Sequence, residues 1–342
     1  MRIGCCFLNK RKRRLHYLVG DLEGYEDNVR CLFEISKYCS LQEDKGQMTL
    51  PHEDQLFIFL ENAPFFGRQT YQMWRSMFDL PLPPFKKFDF SRPKAMHLLS
   101  LETFHIKDAK VNGIPFVEFI GSFLKTFFSG LNIHLVEQFS AEDFNPIHRK
   151  HPVTGKRQLL VSDFYGKMHE VTKLPKSDYI LGLTWTDLYP KEELNFVLGE
   201  ASYHHKCGVF SFGRFEPQTF EGQATSDNED DTDLELDGEI VWKMLRVATH
   251  ETCHLFGLQH CVFFHCAMNG SSSISEAITQ PLFLCPVCLR KLQKFLGFDV
   301  LERYQDLLKM CGLLQVEYPS QSMSDAIHWL KECLQFLNSR KF

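Results

Sequence analysis

Three histidines, a glutamate and a glycine in VATHETCHLFGLQHC (247–261) have the types and spacing to hold and use a metal. His250 and His254 are four residues apart, so on an α-helix they share one face. That is the geometry zinc needs from two imidazoles. Gly257 allows a sharp backbone turn, which would bring His260 back as a third ligand. Three protein nitrogens leave a fourth position for water, the mark of a catalytic rather than a structural site. Glu251 follows the first ligand but lies about 100° around the helix. From there it can reach the metal's water without binding the metal, as a general base must. The chain has 15 histidines and 43 acidic residues. In that composition a His-acid-x-x-His spacing arises by chance roughly 0.08 times per chain, and Gly257 and His260 multiply this by roughly 0.003.

A second set of metal-binding residues begins at the next position. Cys261, Cys266, Cys285 and Cys288 form two close pairs separated by a loop, the second pair in CPVC. Such pairs are the usual form of a closed, tetrahedral four-thiolate zinc site, which is structural. Three histidines and four cysteines cannot all surround one tetrahedral ion, so the expectation is two Zn2+ per chain. Because Cys261 abuts His260, one short peptide would be held by both metals. Met268, in CAMNG, would ordinarily be core filler.

These residues need a helix beneath them and a sheet beside it. Ile240 to Phe256 predicts one helix, with Val241, Met244, Leu245, Ala248 and Leu255 on an apolar stripe. The two imidazoles fall on roughly the opposite side. AMHLLSL (95–101), NIHLVEQ (132–138) and DYILGLTWTDLY (178–189) read as strands, the last running into an exit loop. GIPFVEFIGSFLKTFFSGL (113–131) reads as a helix ending at a glycine, and 159–171 as a helical region. NFVLGEAS (195–202) and CGVFSFGRF (207–215) look like two strands joined by a short turn, with an antiparallel pairing. Strands alternating with helices imply an α/β layer. Residues 1–90 read as a mostly helical N-terminal region, with the Pro-rich 81–84 as a linker. Residues 91–305 would form the catalytic domain, and 306–342 a C-terminal helical extension.

Bulk properties narrow the function. The net charge of −5, with 44% hydrophobic and 24% charged residues, speaks against a nucleic-acid-binding charge excess. No apolar run is long enough to span a bilayer. The first twenty residues have the wrong order for an export signal. With twelve cysteines, the expectation is a reducing compartment, cytoplasmic or nuclear, with free thiols and metal ligands in place of disulfides. SDNEDDTDLELDGE (226–239) reads as a solvated loop whose acids favour the helix N-terminus that follows. KRKRR (10–14) reads as an exposed basic arm, with nuclear import as the alternative. Acylation of Cys5 and Cys6 is the less favoured reading of that pair.

HETCHLFGLQHC, then CAM, then CPVC resembles the archaemetzincins, zinc peptidases of the metzincin clan. LGLTWTDLYP, NFVLGEAS and GVFSFGRF add to the resemblance, which covers about residues 94–305. It implies a metzincin-like zincin fold of the α+β or α/β class. That fold has a twisted mixed β-sheet, an active-site helix, a four-cysteine zinc subsite and a cleft beside an edge strand. Residue by residue it implies that His250, His254 and His260 bind catalytic zinc and that Glu251 is the base. It further implies that Cys261, Cys266, Cys285 and Cys288 bind the second zinc and that Met268 is the methionine of the turn. The implied activity is hydrolysis of peptides, by an aminopeptidase or otherwise, with no nucleic-acid or membrane partner. Cys253 stands where many members have glycine. Gly270 stands where some metzincins carry a ligating tyrosine, so no such ligand is expected. The alternatives are a zinc-stabilised interaction protein with a vestigial peptidase centre and, less favoured, a nucleic-acid-binding zinc ribbon.

Overall fold

A computed structural model describes residues 13–36, 56–60, 69–79, 81–82, 86–87, 95–102, 110–136, 139–215, 235–271 and 273–340. Backbone contacts divide the chain into two compact units. One draws on Pro93–Phe256 and Lys309–Asp325, the other on Met1–Arg92, Gly257–Leu308 and Ala326–Phe342.

The first unit is built on a five-stranded mixed sheet. Its strands are β1 (Met96–Ser100), β2 (Ile133–Val136), β3 (Tyr179–Thr184), β4 (Gly199–Ser202) and β5 (Cys207–Ser211), in the order β4-β5-β3-β1-β2. The β5-β3, β3-β1 and β1-β2 pairs are parallel, and β4 runs antiparallel to β5. The central strand β3 is buried along its whole length, as a parallel strand covered on both faces must be. Parallel neighbours need a crossover, and helix α1 (Phe116–Phe127) supplies it between β1 and β2. Its phenylalanines at 116, 119, 123 and 127 form one buried stripe. Helix α2 (Gly238–Leu255) packs against β4, β5 and α1.

Between β2 and β3 the structure departs from the helical reading of 159–171. Leu159 and Leu160 end a strand, Arg157–Leu160, which pairs with His148–Lys150 and with Asp187–Tyr189. Helix begins only at Ser162–Tyr165, is interrupted at Gly166 and resumes at Met168–Thr172. The apolar residues suit either structure, and ladder partners distant in sequence decide it. The exit from β3 is likewise not all loop, since Asp187–Tyr189 forms part of that second, three-stranded sheet.

The second unit contains helix 13–19, Asp27–Glu34, Tyr71–Asp79 and α3 (Pro286–Leu296). Pro81 and Leu82, expected to lie in a linker, pair antiparallel with Lys86 and Lys87. Its core includes Trp74, Phe33 and Leu292, all fully buried. Arg13 and Arg14 of the basic arm belong to helix 13–19. The rest of KRKRR, the Cys5-Cys6 pair and acidic residues 226–234 lie outside the described residues. Among the described residues, no helix is long and apolar enough to cross a membrane.

Candidate metal centre

Helix α2 starts two residues earlier than the apolar pattern suggests, because Asp237 caps it. The Asp237 carboxylate accepts the Ile240 N–H at 2.7 Å, satisfying one of the donors a helix start leaves free. Fifteen of its eighteen residues are buried, including the predicted stripe. Two buried threonines are reconciled with this burial by bonding back to the helix. Thr249 Oγ1 donates to the Arg246 carbonyl at 2.8 Å, and Thr252 Oγ1 to that of Ala248 at 2.7 Å.

One turn separates His250 from His254, and their Nε2 atoms approach to 3.0 Å. Glu251 is 6% exposed, and its Oε2 makes no hydrogen bond. Burial pushes its carboxyl up to about 8, with Glu200 adding repulsion and Arg246 opposing it. Room for the side chain comes from β4. An added Cβ on Gly199 would sit 2.7 Å from Glu251 Cγ and 2.6 Å from Phe210 Cβ.

The helix ends at Leu255, and Gly257 takes a left-handed φ of +74°, where glycine alone is unstrained. The ligand atoms of His250, His254 and His260 lie within 4.8 Å of one another. Gly270 lies against the His260 ring, for an added Cβ would approach Nδ1 to 3.0 Å. A side chain at 270 would therefore press on the imidazole.

Cys261, Cys266, Cys285 and Cys288 are all buried, with their Sγ atoms within 4.8 Å of one another. Cys285 is the N-cap residue of α3, Pro286 opens the helix, and Cys288 follows three residues after the cap. One helical turn thus points both thiols the same way, near the positive end of the helix dipole. The other pair sits on the loop 261–269. Cys261 N–H donates to the Met268 carbonyl at 2.6 Å, and Met268 is itself fully buried.

Both donor sets suit zinc. Hydrogen bonds from Cys266, Cys285 and Cys288 hold the Cys261 thiol well below its usual range, while burial pushes Cys266 and Cys285 well above it. Holding all four as thiolates in this buried cluster would need a cation among them. Backbone N–H groups already point at sulfur: Cys285 N and Met268 N donate to Cys266 Sγ at 3.3 and 3.5 Å. Such donors stabilise a coordinating thiolate.

The structure adds residues the sequence reading does not identify. Asn269 clasps the cysteine loop: its Nδ2 donates to the carbonyls of Cys261 and Phe264, and its Oδ1 accepts from Cys266 N–H. Gln69 and Lys291 hold the turn before His260. Lys291 left a trace in the sequence. It shares a helical face with Cys288 and Phe295, so a charge lies on a stripe otherwise fit for burial. Asn269 and Gln69 left none, because an amide's partners depend on loop geometry.

The model of peptidase family M54 matches residues 153–294. Archaemetzincin-2 of Mus musculus is 30% identical over 272 residues, covering 70% of this chain and 76% of that protein. Archaemetzincin-2 of Pongo abelii is 30% identical over 241 residues, and the chain spans 66% of its length, as the match spans 66% of this chain. Archaemetzincin-1 of Homo sapiens is 36% identical over 166 residues, 44% of this chain and 33% of that one. Among solved structures, archaemetzincin from Methanopyrus kandleri is 21% identical with a TM-score of 0.41, covering 64% of this chain and 100% of that chain. With 30% identity across 76% of the mouse relative, the chain belongs to the archaemetzincins, the zinc metallopeptidases of peptidase family M54.

Proposed function

We propose that this chain hydrolyses peptide bonds inside the cell, with Glu251 as general base and two bound zinc ions. His250, His254 and His260 would hold the catalytic ion, and Cys261, Cys266, Cys285 and Cys288 the structural one. The observation that carries the reading is Glu251 itself. Its carboxylate is buried beside His250, and one oxygen has no hydrogen-bond partner. Burying such a group costs stability, so folding alone gives no reason to keep it there. A general base, by contrast, needs an oxygen free to take a proton.

When bound, zinc supplies a Lewis acid for the peptide carbonyl and for the attacking water. Glu251 Oε2 takes the water's proton, and the same carboxyl returns it to the departing amine. Gly199, lacking a side chain, leaves Glu251 the space it occupies. The Gly257 turn and Gly270 set the position of the third imidazole. Aminopeptidase action is a narrower reading of the same site, and a cytosolic or nuclear setting rests on cysteine usage.

The test is cleavage of a proteome-derived peptide library by wild type and Glu251→Ala. Loss of a general base typically costs 10²–10⁴-fold. Cuts confined to the first residue would favour an aminopeptidase, and internal cuts an endopeptidase. Equal cleavage by both proteins would reject Glu251 as the base. No cleavage by either would favour a zinc-stabilised interaction protein with a vestigial centre.

A further inference from the structure

We propose that Gln69, fixed by Lys291, is a positioning residue for His260. This inference rests on the metal reading above. Gln69 lies just before the helix Tyr71–Asp79 and is 3% exposed. Its amide grips both ends of the turn that delivers His260. Nε2 donates to the Gly257 carbonyl at 3.0 Å, and Oε1 accepts the Gln259 N–H at 3.0 Å. The turn needs such a grip, because Gly257 has a left-handed backbone and no side chain of its own to pack.

Lys291 fixes the amide in turn. The residue is 1% exposed, and its ammonium donates to Gln69 Oε1 at 3.0 Å and to the Gln69 carbonyl. This donation also fixes the orientation of the amide, because the oxygen must face Lys291 and the NH2 must face Gly257. Lys291 stands three residues beyond Cys288 on α3. Lys291 and Gln69 thus connect the helix that carries Cys288 to the residue before His260.

A second brace lies on the other side of His260. His265 N–H donates to the Ile58 carbonyl at 2.8 Å, and Leu60 N–H to that of Phe263 at 3.3 Å. The Phe59 ring stacks on Phe264 with centroids 4.7 Å apart. Residues 257–265, which carry His260, are therefore held on both flanks by residues from the first seventy. Groups that hydrogen-bond a metal ligand directly typically contribute 10–100-fold to metal affinity; Gln69 acts on the backbone beside His260, so the effect expected is at the lower end of that range.

Two variants separate positioning from folding. Gln69→Leu removes every side-chain hydrogen bond of the clamp. Gln69→Glu keeps the acceptor for Gln259 and Lys291 but sets an oxygen against the Gly257 carbonyl. The readouts are chelator competition and visible spectra of the cobalt-substituted protein, where histidine-site ligand-field bands and thiolate charge-transfer bands are distinct. Both variants should bind the histidine-site metal about tenfold or more weakly, with shifted ligand-field bands. The thiolate bands should be unchanged. If Gln69→Leu does not fold, Gln69→Glu alone decides. Unchanged competition and spectra in Gln69→Glu, or equal loss at both sites, would overturn the proposal. His254→Ala tests the underlying metal reading separately, since it should abolish the histidine-site bands whatever Gln69 does.

Discussion

Glu251 and Gly199 illustrate what single residues decide. Glu251, the proposed base, lies over a glycine because no other residue leaves it space: an added Cβ would meet Glu251 Cδ at 3.0 Å and Cγ at 2.7 Å. The nearer obstacle, Phe210 Cβ at 2.6 Å, is tied to the backbone and cannot swing away. Gly199→Ala should therefore lower kcat at least tenfold and cost about 1–3 kcal/mol of stability by overpacking, while zinc content stays at the wild-type value. Steady-state kinetics, thermal unfolding and elemental analysis check the three parts. Of the candidate site, the two clustered sets of His250, His254, His260 and Cys261, Cys266, Cys285, Cys288 were legible in the sequence, because i, i+4 spacing and paired cysteines are local signals. Gly199 was not, since its partner Glu251 is 52 positions away and only the packing of α2 on β4 joins them.

Elements show the same division between local and distant causes. Helices α1 and α2 were readable because apolar residues at helical spacing outlast any one partner. Only the start of the region 159–171 was misread, because its leucines join a ladder with Asp187–Tyr189 and propensity alone does not reveal a partner strand; the helical part lies in Ser162–Tyr165 and Met168–Thr172. Helix α2 also depends on its cap: Asp237→Ala should cost about 1 kcal/mol, measured by denaturant unfolding. The cysteine loop depends more heavily on Asn269, whose three hydrogen bonds are to backbone groups of Cys261, Phe264 and Cys266. At about 1 kcal/mol per bond, with more for partners left unsatisfied in the interior, Asn269→Ala should cost roughly 3–4 kcal/mol. It should also release the thiolate-site zinc first under chelation. Release of the histidine-site zinc first would mean that the clasp does not support the cysteines.

At the scale of the whole molecule, the proposed arrangement has two zinc ions sharing one short peptide. His260 and Cys261 are adjacent, and the two ligand sets are otherwise complete and chemically distinct. Closed thiolate sites in zinc-finger peptides carry apparent binding free energies of ~10–16 kcal/mol, so loss of that ion should loosen residues 261–288. Cys285→Ser should then weaken peptidase activity although Cys285 belongs to the other ligand set. The most direct test of the central claim is elemental analysis of the purified wild type beside His254→Ala. The account predicts two zinc ions per chain in the wild type and one in the variant, which retains the thiolate-bound ion and its fold. One zinc in the wild type, or two in His254→Ala, would contradict it.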